Sequence, residues 1–449
     1  MDKRKHEFLT TAPIPRVIGT LAVPTIISMM VTSVYNIADT YFVSRLNTQS
    51  TAAVGITFTV ITVFQAIGFF FGHGSGNYMA IRLGAGDEQE ARTMATTGYV
   101  YALTVSVLLA IVGVFLLQPL CLLLGCTPTV LPYAEQYLKL ILFSAPFIVG
   151  SLMLNVQIRQ QGNAAYAMVG IMSGAVLNML LDPLLILTFD MGIRGAGIAT
   201  LVSQAISFFV LLLMTERGGN LPLRLRHFSF DRKYIRLILA VGTPSLTRQG
   251  LGSIATFLLN ASAATYGDYA IAAMTIVTRI TFLVYSAVTG LGQGYQPLCG
   301  FCYGAGRYGR VMKGYWFCVA AGTAFLTLIA LAGGLFSTEI IALFRNDSDV
   351  VRIGSEALRS QLLTYPLGAI IMLSNMMMQA VNKPVRANLL AAARRGLFFI
   401  PFLLLLPRSC GLHGLVISQP LADVCTFAVS LPVLLFTFRQ FRMEETAKR

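Results

Sequence analysis

An asparagine and an aspartate lie four residues apart within one long apolar segment. Asn178 and Asp182 occur in the stretch Ala-Val-Leu-Asn-Met-Leu-Leu-Asp-Pro, inside an apolar run from about residue 165 to 189. Residues i and i+4 share one face of a helix, so both polar side chains should face the same neighbour. A carboxylate at the centre of a membrane helix costs roughly 2.5–3.5 kcal/mol on insertion scales, and is typical of a transport path or a proton relay. The alternative is an aspartate that is hydrogen-bonded for packing alone.

A second acid, Asp39, lies in the first apolar segment of the chain. If the chain starts in the cytoplasm, the segments that contain Asp39 and Asp182 both run toward the outer side of the membrane. Each acid falls past the middle of its segment, so the two can lie at a similar depth in the membrane. Two carboxylates in a low-dielectric site disfavour each other's ionisation, and one of them can then hold a proton near neutral pH. Together with Asn178 they could instead supply the oxygen ligands of Na⁺. The residues leave H⁺ and Na⁺ both open.

The composition requires these residues to be positioned by membrane helices. The chain has 449 residues, of which 55% are hydrophobic and 12% are charged, whereas soluble domains carry about 25% charged residues. Apolar runs long enough to span a bilayer recur twelve times, which predicts an all-α polytopic membrane protein. Their approximate ranges are 16–43, 52–80, 93–118, 133–156, 165–189, 194–215, 236–262, 271–298, 312–336, 354–378, 386–407 and 412–438.

Basic residues predict the orientation of the chain. With both termini in the cytoplasm, the inside segments hold 24 Lys and Arg residues, including Arg394 and Arg395, and the outside loops hold five. This asymmetry supports an even number of spans with both termini in the cytoplasm, and we expect a multi-pass protein of the bacterial plasma (inner) membrane. The net charge of +14 therefore reflects topology and contact with anionic membrane lipid, and no nucleic-acid partner is expected.

The two halves of the sequence resemble each other. Pro146 matches Pro366 and Asn155 matches Asn375, both at offset 220 in the numbering. The glycines at 72, 74 and 76 are matched with those at 290, 292 and 294. The polar stretch 218–233 divides the chain into predicted six-helix lobes, 1–217 and 234–449, with 218–233 as a cytoplasmic linker. Such repeats are typical of secondary transporters that hold substrate between the lobes and alternate its access.

The repeat also provides an internal control for the acids. At offset 220, Asp39 corresponds to Leu259 and Asp182 to Phe402, both apolar. Because packing alone would not require acids in one lobe only, we expect ion coupling to be confined to the N-terminal lobe. The exception is Asp423, which aligns with Gln204 at offset 219 and is either a second polar point in the cavity or a hydrogen-bonding group between helices.

Two cations and one proline complete the candidate residues. Arg248 and Arg279 interrupt the seventh and eighth spans. They either extend toward the interface or line a cavity, in which case Arg279 is a candidate partner of Asp423. Pro24 in the first span is a candidate hinge, because a proline frees backbone groups that neighbours or cavity water must satisfy.

With these residues in place, the chain resembles the MATE family of multidrug and toxic-compound extrusion transporters over nearly its whole length. The resemblance rests on Asp39, on the Asn178-x-x-x-Asp182-Pro183 motif, and on the glycine-rich eighth span, Gly-Leu-Gly-Gln-Gly-Tyr-Gln-Pro, leading into Tyr-Gly-Ala-Gly. It is strongest toward the bacterial branch with the staphylococcal multidrug exporter and the DinF-type members. It implies the MATE fold of two pseudo-symmetric lobes, and export of organic cations and drugs in exchange for H⁺ or Na⁺, with no other cofactor.

The resemblance also implies roles for particular residues. Asp39, Asn178 and Asp182 match the cation or proton site, which Thr200, Tyr137 and Asn155 would extend. The acids that some members carry in the seventh and tenth spans are absent here, and Gln249 occupies one expected position. Residues that could line a substrate cavity are Tyr35, Met153, Met179, Gln249, Arg279 and Asp423, since methionine and aromatic side chains suit varied flat cations. The chain is expected to act as a monomer.

Other functions fit the sequence less well. An exporter of lipid-linked or anionic molecules from the same superfamily is the main alternative. An intramembrane aspartyl protease is disfavoured because Asp87 of its Gly-x-Gly-Asp motif falls in a polar loop. No phosphate-binding loop of an ATP-driven pump appears in the sequence, and the Cys299-Gly-Phe-Cys302 pair has no second pair to complete a metal site. We therefore expect a transporter and not an enzyme.

Overall fold

The computed structural model describes the backbone of residues 3–448 and the side chains of residues 5–35, 41–43 and 45–446. Within these residues the fold is helical, with no β-strand. The helices are α1 Lys3–Thr11, α2 Ile14–Ser44, α3 Thr48–Gly84, α4 Glu88–Phe115, α5 Leu117–Leu123, α6 Leu131–Gln160, α7 Ala164–Pro183, α8 Gly192–Met214, α9 Arg232–Ala264, α10 Asp268–Gly304, α11 Tyr308–Leu335, α12 Ser337–Phe344, α13 Ser348–Leu362, α14 Tyr365–Ala380, α15 Pro384–Ala392 and α16 Ile400–Lys448. Two π-helical segments, Leu184–Thr188 and Ala393–Phe399, follow α7 and α15, and a 3-10 turn covers Leu225–His227.

The number of membrane spans is nine or ten in the described part of the chain. Nine helical runs are long and apolar enough to cross a bilayer, and the pair α13 and α14, bent by 58°, raises the number to ten. A total of twelve would also require α9 and a division of the run Pro384–Thr446 at Gly411, whose backbone (φ 58°, ψ −143°) leaves helical geometry. The all-helical membrane fold is confirmed, whereas the count of twelve stays a prediction.

The chain folds as two compact units that exchange helix segments. Unit 1 contains the residues up to Leu9 together with Ile27–Leu246, and unit 2 contains Thr10–Ile26 together with the residues from 247 onward. The first part of α2 therefore belongs to unit 2, and the first part of α9 belongs to unit 1. Lobes bounded at 217 and 234, which assign each helix whole, stay a prediction.

Both exchanged helices pass between units at equivalent positions. The changes follow Ile26 in α2 and Leu246 in α9, two positions that the repeat relates to each other. Each comes two residues after a proline inside the helix, Pro24 and Pro244. Because a proline removes one helical hydrogen bond and disturbs the preceding turn, each helix is weakened where its two ends join different units.

Glycines allow the exchanged segments to pack closely within their units. In unit 2 a Cβ atom on Gly290 of α10 would lie 2.6 Å from Cα of Ile26, and one on Gly294 would contact the backbone of Ala22. In unit 1 a Cβ atom on Gly74 of α3 would lie 2.6 Å from the carbonyl oxygen of Ile238. A Cβ atom on Gly72 would contact Val156, and one on Gly292 would contact Met376, the residue equivalent to Val156 at offset 220. The sequence match of the glycine triplets at offset 218 is therefore wrong by two positions.

Replacing Gly290 by alanine is expected to destabilise the protein. The added methyl group would meet the backbone of α2 rather than a movable side chain, and such overpacking typically costs about 1–3 kcal/mol. Gly250→Ala in α9 is the matched control, since nothing lies within 4 Å of its Cβ position and alanine favours a helix by roughly 0.5–1 kcal/mol. Thermal unfolding measured in detergent should give a lower Tm than the wild type for Gly290→Ala but not for Gly250→Ala. Equal Tm values for both variants would contradict this packing.

A carboxylate fixes the beginning of α9 in unit 1. Glu90 accepts hydrogen bonds from the ammonium of Lys233 at 2.5 Å, the hydroxyl of Tyr234 at 2.9 Å and the hydroxyl of Tyr78 at 3.0 Å. Arg310 occupies the equivalent position of the repeat in unit 2, and donates to backbone carbonyl groups just before α2. Equivalent polar residues therefore anchor the two exchanged segments.

Candidate ion-coupling site

Asn178 and Asp182 lie on one buried face near the end of α7. Their exposed fractions are 1% and 0%, which agrees with the spacing of four residues on a helix. α7 ends at Pro183 and the chain continues as the π-helical segment Leu184–Thr188. Single π-helical turns occur frequently at functional sites, and Pro183 lacks an amide hydrogen for the preceding turn. The carboxylate of Asp182 therefore lies where the helix changes its geometry.

Helix α8 supplies the neighbouring hydroxyl groups. The side-chain amide of Asn178 donates to Oγ of Ser203 at 3.3 Å, and a Cβ on Gly195 would approach the carbonyl oxygen of Leu185 to 2.8 Å. These two points set the register of α7 on α8 and place Thr200 at the level of Asp182. Ser203 and Thr200 are 0% and 4% exposed. The resemblance to the MATE family implied a role for Thr200, which stays a prediction, whereas Ser203 was not predicted.

The oxygen atoms at this site suit a proton or a hard cation. Among the described residues Oδ1 of Asn178 is buried and has no hydrogen-bond partner, a state that typically costs about 1–3 kcal/mol. A proton shared with a carboxyl group, or a bound Na⁺, would satisfy that oxygen. Carboxylate, amide and hydroxyl oxygens favour hard cations over soft transition metals. The residues present therefore fit either coupling ion.

Two candidate residues come from α2: Asp39 of the predicted coupling site and Tyr35 of the predicted substrate cavity. The side chain of Asp39 lies outside the described residues, so its part in the site stays a prediction. Tyr35 is half-buried on the same helix in unit 1.

Tyr137 and Asn155 lie far apart along α6. Tyr137 is buried near the start of the helix, and Asn155 follows five turns later, about 27 Å along the helix axis. Asn155 donates to the carbonyl oxygen of Ala167 at 2.8 Å and accepts from Arg159 at 2.9 Å. Ala167 lies in the first turn of α7, about 22 Å of helix rise from Asp182. Asn155 therefore joins α6 to the start of α7 and is not part of the coupling site, contrary to what the resemblance implied.

The residues predicted to line a substrate cavity have different surroundings. Met153 is fully buried, and its Cε lies 3.4 Å from the Cβ position of Gly98, so it fills the core of unit 1. Met179 and Gln249 are half-buried, on α7 and α9, whereas Arg279 on α10 is exposed. A cavity role for Met179, Gln249 and Arg279 stays a prediction.

Asp423 has a different partner from the one expected. Its Oδ1 accepts from Nε of Arg394 at 2.9 Å, in a pair whose side chains are 15% and 5% exposed for Arg394 and Asp423. The assignment of Arg279 as its partner is therefore wrong. The count of Arg394 and Arg395 among the basic residues of the inside segments is also wrong, because both belong to the π-helical segment Ala393–Phe399 within a membrane run. The predicted span 386–407 already contained both residues. In the repeat Asp423 is equivalent to Ser203, at the same offset as the prolines.

These features define a class of protein. A helical membrane fold with repeated halves, exchanged helices and a buried carboxylate at a helix break is typical of secondary transporters. The MatE family model matches residues 24–184 and 244–404, two stretches that have the same offset as the repeat. The chain belongs to the MATE family, which confirms the predicted family, and it is a multi-pass membrane transporter rather than an enzyme.

The chain is similar to known transporters over nearly its whole length. The chain is 26% identical over 423 residues to the multidrug export protein MepA of Staphylococcus saprophyticus, covering 93% of each sequence. It is 25% identical over 444 residues to MepA of Staphylococcus aureus strain MSSA476, covering 98% of each. A solved outward-facing structure of a multidrug resistance MATE family transporter of the MOP superfamily matches with a TM-score of 0.91 and 26% identity, over 100% of this chain and 99% of that one.

Proposed function

We propose that this protein is a secondary active multidrug exporter that expels organic cations and drugs in exchange for H⁺ or Na⁺. It acts by alternating access, as a monomer in the bacterial inner membrane with both termini in the cytoplasm. The relatives named as multidrug export proteins support the kind of cargo. The observation that carries the coupling mechanism is the buried carboxylate of Asp182 beside Asn178 at the end of α7.

In this mechanism the charge of Asp182 is the quantity that changes. An ionised carboxylate with 0% exposure is unfavourable in a low-dielectric interior, so it attracts a proton or Na⁺. Ion binding removes that penalty, and Asn178, Thr200 and Ser203 provide the surrounding oxygens. The break at Pro183 and the proline hinge at Pro24 let the helices respond to the change. Differential ion binding to two conformations then drives the return of the carrier.

The coupling ion can be identified in proteoliposomes that contain the purified protein and ethidium. A pH gradient is imposed in one set and a Na⁺ gradient in the other. Transport driven by the pH gradient alone identifies Asp182 as a proton carrier, and transport driven by Na⁺ alone identifies it as a Na⁺ ligand. Absence of ethidium transport under both gradients would contradict the proposed function.

The alternative function is export of lipid-linked or anionic molecules. The observation in its favour is the pair of arginines within a membrane run of unit 2, Arg394 and Arg395, since cationic side chains within a membrane span attract negative groups. Failure of ethidium transport, with transport of an anionic dye, would favour this alternative.

A further inference from the structure

A cavity of about 750 Å³ lies in unit 2 beside the turn that joins α10 to α11. Its lining includes Arg307, Arg310 and Lys313 from this turn and the start of α11. Glu445 near the end of α16 and residues just before α2, such as Thr11, also line it. The volume falls within the range of about 300–1,000 Å³ that is typical of small-molecule sites. The distribution of basic residues predicts that this end of unit 2 faces the cytoplasm.

The charges that line this cavity do not balance. Among the described residues, three cationic side chains line it together with one carboxylate, that of Glu445. Neither Arg307 nor Lys313 forms an ion pair in the part of the chain that the structure describes. Both of these side chains are exposed, and Glu445 is half-buried. The cavity therefore has an excess of positive charge that an anion can reach.

The two arginines hold the backbone that leads into α2. Nη1 of Arg307 donates to the carbonyl oxygen of Thr10 at 2.7 Å. Arg310 donates to the carbonyl oxygens of Thr11 and Ala12. A carbonyl group carries no net charge, so these hydrogen bonds position the guanidinium groups without neutralising them. Because both groups are already ordered, an anion that binds them loses little affinity to the ordering of side chains.

The equivalent turn of unit 1 has the opposite charge. At offset 220, Arg307 corresponds to Asp87 and Arg310 corresponds to Glu90. Glu90 is paired with Lys233 of the helix that it anchors, at 2.5 Å. Anchoring of an exchanged segment therefore does not require positive charge, and unit 1 supplies the counter-charge from the anchored helix. In unit 2 the segment before α2 contains no acidic residue, so this segment supplies no counter-charge.

We infer that this basic cavity is a binding site for a phosphate group on the predicted cytoplasmic side of unit 2. Arginine binds phosphate through paired hydrogen bonds, and lysine adds a point charge. The phosphate belongs either to the headgroup of an anionic lipid, which basic pockets on the cytoplasmic side bind, or to free inorganic phosphate. A bound phosphate supplies the missing negative charge beside the start of α2. The site is independent of the proposed function, because it requires neither cargo nor an ion gradient.

Thermal unfolding of the purified protein in detergent tests this site. The protein is titrated separately with dioctanoyl phosphatidylglycerol, inorganic phosphate and dioctanoyl phosphatidylcholine, and the Kd is obtained from the rise of the Tm with ligand concentration. A rise with phosphatidylglycerol alone identifies a lipid headgroup, and a rise with inorganic phosphate identifies the free ion. Phosphate also stabilises proteins nonspecifically, so only the part of its effect that Lys313→Gln removes counts as binding here.

Three single substitutions separate the cavity from the general surface charge. Lys313→Gln changes an exposed side chain and should weaken the Kd about fivefold, as expected for one cation beside an anionic headgroup. Glu445→Gln removes the repelling carboxylate and should tighten the Kd to a similar extent. Arg439→Gln is the matched control, because Arg439 is exposed on α16 and does not line the cavity. Its Kd should stay close to the wild-type value.

Several results would overturn the inference. One is a Tm that neither anionic ligand raises, and another is an equal rise with phosphatidylcholine, whose headgroup has no net charge. Equal weakening by Lys313→Gln and Arg439→Gln, or a Glu445→Gln variant that binds no more tightly than the wild type, would also exclude a specific site. Binding is measured without cargo, so failure of this site leaves the proposed export standing. Conversely, a protein that does not export ethidium can still bind phosphate at this cavity.

Discussion

Replacing Asp182 by asparagine is expected to reduce gradient-driven efflux strongly while the protein remains folded. Asparagine has nearly the same shape as aspartate, so the fully buried site should keep its packing. The asparagine side chain cannot gain or lose a proton near neutral pH, and it has no negative charge to attract Na⁺. Coupling free energies between sites are typically about 1–3 kcal/mol, so we expect efflux to fall by about 5- to 150-fold in vesicles under the effective gradient.

The neighbouring loop offers a matched control for this experiment. Asp190 is exposed, eight residues after Asp182, and its φ of 50° suits asparagine as well as aspartate. Asp190→Asn should therefore keep wild-type efflux. The Tm of Asp182→Asn should stay close to that of the wild type, because asparagine has nearly the same shape as aspartate and removes the cost of burying a charge. Full coupled efflux by Asp182→Asn at wild-type expression would show that the ion binds elsewhere.

Replacing Asp423 by asparagine is expected to destabilise unit 2 strongly. The change removes the counter-charge of Arg394, whose side chain is only 15% exposed. Breaking one partner of a buried ion pair typically costs about 3–5 kcal/mol, whereas replacing both partners by apolar residues of similar volume is often neutral. The double variant Arg394→Met with Asp423→Leu should therefore recover much of the Tm lost by Asp423→Asn in detergent.

An exposed ion pair provides the comparison. Glu356 accepts from His413 at 3.1 Å, with side chains 51% and 62% exposed for Glu356 and His413, and pairs of this kind contribute about 0–1 kcal/mol. Glu356→Gln should shift the Tm little. If the Asp423 and Glu356 variants lost equal stability, or if the double variant were no better than Asp423→Asn, the Arg394–Asp423 pair would not have the strength that its geometry indicates.

The sequence predicted those parts of the fold that depend on local pattern. Apolar runs predict helices because every backbone group must be satisfied within the bilayer, and the constant offset between the halves predicts equivalent positions in the two units. The four-residue spacing of Asn178 and Asp182 correctly placed both on one buried face. These inferences need no knowledge of which helices are neighbours.

Contacts between distant helices could not be predicted in the same way. Arg394 and Arg395 were counted with the cytoplasmic cations, although they fall inside the predicted span 386–407, because positive charge usually ends a span. Nothing local indicates a π-helical segment that turns both side chains toward α16. The contact of Ser203 with Asn178 depends on the packing of α8 against α7, which the sequence alone does not give. The error over Asn155 has a similar cause, because a polar residue in a span can equally join two helix ends. A finer signal existed in the repeat, since Ser203 and Asp423 share one position.

The exchange of helix segments between units has a consequence for synthesis. Ile26 packs against Gly290 in unit 2, so the first part of α2 is made long before its partner helix. At about 5–20 residues per second, this segment waits in the membrane for roughly 10–50 s without its final neighbour. Unit 1 is likewise incomplete until Leu246 has been made. A nascent chain released at the polar stretch 218–233 would therefore contain neither unit, and the two halves must mature together.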